Sequence, residues 1–244
     1  MDLDILPYHN TNVLNPNYHS LIAFSLSIFN PMKVISTNIG SPTTIAWNGK
    51  EELTGIYKYP VEEPLFLGKT EVAKDTIIDR KHHAGVNKAC YLFSKNHYAY
   101  WKNLYPNLDW NWGMFGENLT INGLDESKIR IGDIYKLGTA LVQVSQPREP
   151  CYKLGIRFED QSVLKQFIDY GFPGTYVRIL EEGEVKKGDA LALVEQSENT
   201  LTVKDFYHLL YMRPKDPRIL QLALSNTALP EYKRERLKKH LPKP

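Results

Sequence analysis

Two hydrophobic periods divide the chain. From Met32 to about Val194 the apolar runs are short, often alternate with polar residues, and are bounded by turn signals, which is the pattern of strands. Lys33-Val34-Ile35-Ser36-Thr37 is rich in β-formers, Asn48-Gly49 is a hairpin signal, and Thr54 to Pro60 alternates. Ala89-Cys90-Tyr91-Leu92-Phe93, Leu119-Thr120-Ile121, Arg130 to Tyr135 and the Val-rich Leu141 to Ser145 predict further strands, and Tyr176 to Leu180 and Ala190 to Val194 predict the last two. Helical spacing interrupts this series twice. One helix begins in His97-Tyr98-Ala99-Tyr100-Trp101 and ends near Pro106. Another runs from Asp160 with Val163, Leu164, Phe167 and Ile168 on one face and Gly171 as its C′ residue. Beyond Asn199 the pattern is helical only. Thr202 opens the run Phe206 to Tyr211, Asp216-Pro217 opens a second helix, and a third starts with Pro230 as its N1 residue. The elements predict an α+β chain with a mainly β core.

Composition narrows the class. At 244 residues, 42% apolar and 24% charged, the chain suits one large domain, or one domain with an appendage, able to bury a proper core. A formal net charge of +2 argues against a dedicated nucleic-acid binder. Neither a G-x-G-x-x-G nor a G-x-x-x-x-G-K-[ST] motif occurs, so no dinucleotide fold or P-loop is supported. Two cysteines, Cys90 and Cys151, cannot build a zinc site alone and are too few for a Cys-ligated iron–sulfur cluster. A disulfide between them is open from sequence, but so few cysteines suggest a reducing cytoplasm. Residues 1 to 31 stand apart, with no Lys or Arg and the apolar run Leu21 to Phe29, which is too short to span a bilayer. Asp2 and Asp4 occupy the place where a secretory signal needs basic residues, so this segment reads as a poorly ordered upstream extension.

The chemistry concentrates in Gln143-Val144-Ser145-Gln146-Pro147-Arg148-Glu149-Pro150-Cys151. Pro147 and Pro150 end the strand, because each locks φ and withholds a ladder donor. Cys151 is thereby presented on a stiff loop, with Arg148 three residues before it and Lys153 two after. Nearby cations favour the thiolate, which is the nucleophile and the soft-metal ligand. The alternative is a buried structural cysteine, the role that Cys90 takes on its apolar strand. Asp79 to Gly85 is a polar loop in which His82 and His83 point different ways on any regular element; it is either a site wall or plain surface. Trp110 to Asn118 is an aromatic loop of core or site, and the Lys233 to Lys239 face of the last helix is either solvated or a docking surface for an acidic partner.

Gln143 through Leu154 resembles the cysteine signature of the MOSC domain, named for the molybdenum cofactor sulfurase C-terminal region, and more narrowly its bacterial YiiM-like, N-hydroxylaminopurine resistance branch. Asp79 to His83, Phe115 to Thr120 and Arg130 to Asp133 agree in the same order, over about residues 32 to 240, with Ala84 standing where the family usually has Gly. The resemblance implies a MOSC-type β-barrel-like core over 32–198 with peripheral helices, and a three-helix extension over 199–244. It implies a molybdenum cofactor with Cys151 as metal ligand and Cys151, His82 and His83 as catalytic groups, a histidine near pKa 6.5 supplying a proton. Lys88, Phe115, Gly116, Glu117, Asn118, Ser145, Gln146, Arg148 and Lys153 are the implied cofactor-binding residues. The implied reaction removes the N-hydroxyl group from hydroxylamino compounds such as N-hydroxylated purine bases. Electrons would come from an external flavoprotein or iron–sulfur carrier, with no nucleic-acid or membrane partner, and a homodimer is one open oligomeric state. Two alternatives remain: a persulfide relay for metal–sulfur cluster assembly, and a non-catalytic molybdopterin-binding module. Pyridoxal phosphate, mentioned for the wider family, belongs to a separate desulfurase domain, and no clear Schiff-base lysine signature is present.

Overall fold

The computed structural model describes residues 32–241, so the expectation for residues 1–31 lies outside the described residues. The strands are β1 (Met32–Gly40), β2 (Thr43–Trp47), β3 (Lys50–Thr54), β4 (Lys58–Val61), β5 (Leu65–Leu67), β6 (Cys90–Ser94), β7 (Leu119–Asn122), β8 (Ile134–Leu137), β9 (Ala140–Pro147), β10 (Thr175–Glu181), β11 (Gly183–Val185) and β12 (Ala190–Glu195). The helices are α1 (Arg80–His83), α2 (Tyr98–Leu104), α3 (Tyr152–Arg157), α4 (Val163–Tyr170), α5 (Val203–Tyr211), α6 (Pro217–Ser225) and α7 (Glu231–Lys238). Seven strands close into a barrel in the order β12-β8-β9-β10-β6-β7-β1, and β1 returns to β12 through Met32 opposite Leu191. Farther along, β1 pairs with β4. Within the barrel only β6 and β7 run parallel, as the crossover through α2 requires. Closure leaves the barrel no free edge to cover.

Alternation along the strands fills the interior with branched side chains, among them Val34, Leu92, Leu119, Ile121, Val142 and Val177. Cys90 belongs to the same cluster and is buried, in line with its apolar strand. Val203, Phe206, Leu209, Ile219, Leu220 and Leu237 of the last three helices pack into it too, so residues 199 to 241 share one core with the barrel. A second, aromatic cluster joins β6, α2, α3 and α4 through Phe93, Trp101, Phe115, Phe158 and Phe167; Phe93 stacks on Phe115 at 4.1 Å between ring centroids. Among the described residues, no helix is long and apolar enough to cross a membrane.

Local chemistry accounts for most boundaries. Thr202 Oγ1 accepts from Asp205 N at 3.0 Å at the start of α5, and Asp216 caps α6 with Pro217 at its first position. Gly171 ends α4 with φ 76°, a left-handed conformation that glycine adopts without strain. Four expectations need correction. Thr54 to Pro60 is not one strand: Thr54 Oγ1 accepts from Ile56 N, turning the chain, and Gly55 lies so close to the Thr76 carbonyl that a Cβ would sit 1.9 Å from its oxygen. Asp79 to Gly85 contains a helical turn, α1, capped by Asp79. Pro230 is the N-cap of α7 rather than N1, its carbonyl accepting from Lys233 N. The cationic face of α7 is incomplete, because Lys233 is only 4% exposed and its ammonium turns inward to the Glu149 carboxylate.

Glu117 anchors the loop between α2 and β7. Fully buried, it accepts from the Tyr98 hydroxyl, Gly113 N (3.0 Å), Phe115 N (3.1 Å) and Thr120 Oγ1 (2.8 Å). Glu117→Ala leaves these donors unmet and is expected to cost about 3 kcal/mol or more in chemical denaturation. A loss below about 1 kcal/mol, the size of one ordinary hydrogen bond, would show that the loop is held by packing instead.

Candidate active site

The β9–β10 ladder positions the cysteine loop. Tyr176 lies opposite Gln146 and Val177 opposite Val144, so Ser145 is an extra residue in β9, a β-bulge next to the loop. Its hydroxyl donates within 2.7 Å of the Asn87 carbonyl and 3.0 Å of the Tyr176 carbonyl. Pro147 is the last residue of β9, and after Pro150 the chain enters α3 with Cys151, in extended conformation, as the N-cap. The helix after Cys151 was not expected from the sequence. The Cys151 side chain makes no capping hydrogen bond and is partly exposed.

Cys151 stands where two clefts meet. The inner one is lined by the Thr54–Ile56 turn, the Thr76–Asp79 segment, Tyr91 and Tyr176 of the barrel, and Arg148 and Lys153. The outer one is lined by His82, Gln146, Glu149 and Tyr152, and His83 and Lys88 belong to both. Lys58 and Asp75 form a buried ion pair on the inner lining, where Asp75 also accepts from Gly40 N (3.0 Å) and Asn118 Nδ2 (2.9 Å). On the other side, the β2–β3 hairpin reaches the cysteine segment. Trp47 stacks on Tyr152 at 5.0 Å, the Tyr152 hydroxyl donates to Glu52 Oε2 at 2.6 Å, and Lys153 Nζ donates to the Leu53 carbonyl at 3.3 Å.

Cations predominate around Cys151, although Asp79 lines both clefts. Arg148 is 4% exposed, and its guanidinium lies 5.3 Å from the Tyr91 ring centroid and 5.8 Å from that of Phe167. Its Nη1 has no hydrogen-bond partner, and among the described residues no carboxylate lies within ion-pair distance of Arg148, Lys88 or Lys153. Burial, then the charges of Arg148 and Lys88, push His83 down to about 4. His83 is therefore neutral at pH 7 and does not carry the proton that an ordinary histidine would offer. His82 turns outward, its Nδ1 2.9 Å from an Asp79 carboxylate oxygen.

A family model for the MOSC domain matches residues 79–192. The chain is 36% identical over 198 residues to the uncharacterized protein YflK of Bacillus subtilis (strain 168), covering 81% of this chain and 89% of that protein. The YiiM protein of Escherichia coli (strain K12) is 32% identical over 165 residues, 67% of this chain and 73% of its own. The crystal structure of YiiM from Geobacillus stearothermophilus superposes with a TM-score of 0.73 at 35% identity, covering 87% of this chain and 100% of that one. The chain belongs to the MOSC domain family, in its YiiM-like branch. A Gibberella moniliformis protein named a reductase also matches this MOSC protein, at 36% identity over 151 residues, 61% of this chain and 27% of that protein.

The fold of the MOSC protein sorts the residues that its motifs point to. Cys151, His83, Lys88, Gly116, Asn118, Arg148 and Lys153 line the inner cleft, and His82 and Gln146 line the outer one. Phe115, Glu117 and Ser145 line neither. Phe115 packs in the aromatic cluster, Glu117 organises its own loop, and Ser145 is the bulge residue. Asn118 lines the cleft with its amide already engaged, donating to Asp75 and accepting from Tyr91 N at 3.2 Å. Sequence reasoning missed Tyr91, Tyr176, Asp75 and Lys58. Strand alternation sets Tyr91 on the face opposite Cys90, which was the one local signal; the others come from segments with no motif of their own.

His83 yields a pH prediction. The unfolded chain binds a proton on this histidine near pH 6.5, the folded protein only near pH 4. The contribution is present above the higher value and is lost as pH falls through the lower one. Relative to the parent, His83→Gln should gain stability as pH is lowered from 6.5 toward 4, read as urea midpoints on metal-free protein. A pH-independent difference would show that His83 titrates alike in both states.

Proposed function

We propose that this MOSC protein is a molybdenum-cofactor-dependent oxidoreductase that removes the N-hydroxyl group from hydroxylamino compounds such as N-hydroxylated purine bases. The observation that carries the reading is the lining of one cleft by a thiol and by a buried guanidinium with an unpartnered donor. That donor set fits an anionic, metal-bearing pterin: Cys151 offers the soft thiolate, and Arg148 and Lys88 offer cations for a phosphate. When bound, the cofactor supplies two-electron chemistry with transfer of an oxygen atom.

The chain's own residues bind, orient and screen. Tyr91 and Tyr176 line the inner cleft beneath Arg148 and Lys88, and the stacked Trp47 and Tyr152 cover the cysteine segment from the hairpin side. Neutral His83 offers an imidazole that can accept from an N–OH or N–H group of a substrate. The overall change is R–NHOH + 2 e⁻ + 2 H⁺ → R–NH2 + H2O; the N–O bond breaks and its oxygen leaves as water. With two cysteines and no dinucleotide fingerprint in the chain, the electrons come from a separate flavoprotein or iron–sulfur carrier. With Lys233 withdrawn, Arg236, Lys238 and Lys239 are the exposed cations that α7 can offer such a partner.

The test is metal and pterin content after expression in a host with an intact molybdenum-cofactor pathway. Near-stoichiometric molybdenum is expected in the parent, and background levels in Cys151→Ser with the unfolding midpoint little changed, because a partly exposed thiol contributes little packing. Full molybdenum in the variant would remove Cys151 as the ligand. A parent without molybdenum but with sulfane sulfur on Cys151 would favour the persulfide relay instead.

A further inference from the structure

The cysteine loop carries a single carboxylate, Glu149, beside Arg148, and that residue shares the outer cleft with Lys88, Lys153 and His83. A carboxylate free at this place would compete with any anionic ligand for those cations. It is not free. Lys233 of α7 binds it from a position 84 residues along the chain, with the lysine side chain 4% exposed and the carboxylate side chain 41% exposed. Lys233 and Leu237 are one turn apart on the face of α7 that packs inward, where an apolar residue would fill the same space without the cost of burying an ammonium.

The neighbouring contacts hold the same junction. Tyr232 donates its hydroxyl to Gln146 Oε1 at 3.0 Å, and Gln146 Nε2 donates to the Asn87 carbonyl at 3.1 Å. Arg178 bonds Asn87 Oδ1 and, at 3.1 Å, the Ala228 carbonyl just before α7. The C-terminal helices thus brace both the cysteine loop and the segment that bears Lys88. We infer that Lys233 is a positioning residue of the site. By holding the Glu149 carboxylate it keeps that charge from neutralising Arg148 and Lys88, and so keeps the cleft receptive to a phosphate-class anion. The inference rests on the reading of this cleft as the seat of an anionic cofactor.

Binding of inorganic phosphate to the metal-free full chain tests it without any activity assay. Phosphate should bind the parent, and Arg148→Gln should lose it. Lys233→Met should weaken phosphate about tenfold, the scale of one unit charge moved within a partly screened site. Adding Glu149→Gln to Lys233→Met should restore affinity to within about twofold of the parent, because the charge that competes is gone. A general loosening of the fold would not be rescued in this way. Unchanged affinity in Lys233→Met, or loss without rescue, overturns the inference. Glu149→Gln alone keeps the question answerable if Lys233→Met does not fold: it should bind phosphate at least as tightly as the parent, and weaker binding overturns the inference. A parent that fails to bind phosphate overturns the anionic reading of the cleft itself.

Discussion

The position of β10 between β9 and β6 is the constraint on which the site depends. Tyr176 pairs with Gln146 on one side and with Tyr91 on the other, so one strand sets the cysteine loop and the Asn118 segment at a defined distance. The register cannot slip by one residue, since that would turn Val177 and Ile179 out of the core. The bulge at Ser145 uses the same ladder differently. It adds one residue to β9 just before the loop, and the Ser145 hydroxyl fastens the bulge to Asn87. Barrel closure then carries the arrangement, because each strand is held on both sides.

Charge is handled in two ways within one molecule. Some buried charges are matched closely: Lys58 with Asp75 on the inner lining, Lys233 with Glu149 on the cysteine loop, and Glu117 with four donors. Three cations of the cleft have no such carboxylate partner among the described residues. Arg148, Lys88 and Lys153 rest against aromatic rings and main-chain carbonyls, which ease the burial of a cation without cancelling its charge. A surplus of this kind costs stability in a molecule with nothing bound and favours an anion at that place. Burial is the first cause of the low value of His83, and the charges of Arg148 and Lys88 add to it from within the cleft.

The C-terminal helices belong to this design rather than to a separate unit. Their apolar faces enter the barrel's own core, and Tyr232 and Lys233 reach Gln146 and Glu149 of the cysteine segment. The helix α7 thus touches the cysteine loop directly while sharing the barrel's core.

Much of this architecture was legible in the residues. Apolar alternation, the proline pair around Arg148, the caps at Thr202 and Asp216, and Gly171 at the end of α4 are local properties, written within a few residues of where they act. The motif at Cys151 was legible for the same reason. What could not be read was which side chains of a motif share one space. Glu117 and Gly116 adjoin yet serve loop and cleft separately, and Phe115 beside them packs in the aromatic cluster. Lys233 lies in a cationic run, but its ammonium is buried against Glu149; the one local hint was the spacing to Leu237. Asp75, Tyr176 and Lys58 join the site from segments that carry no signature. Periodicity reports which face of an element is apolar; which charges meet, and which are left without a partner, follows from how distant segments are brought together by the barrel.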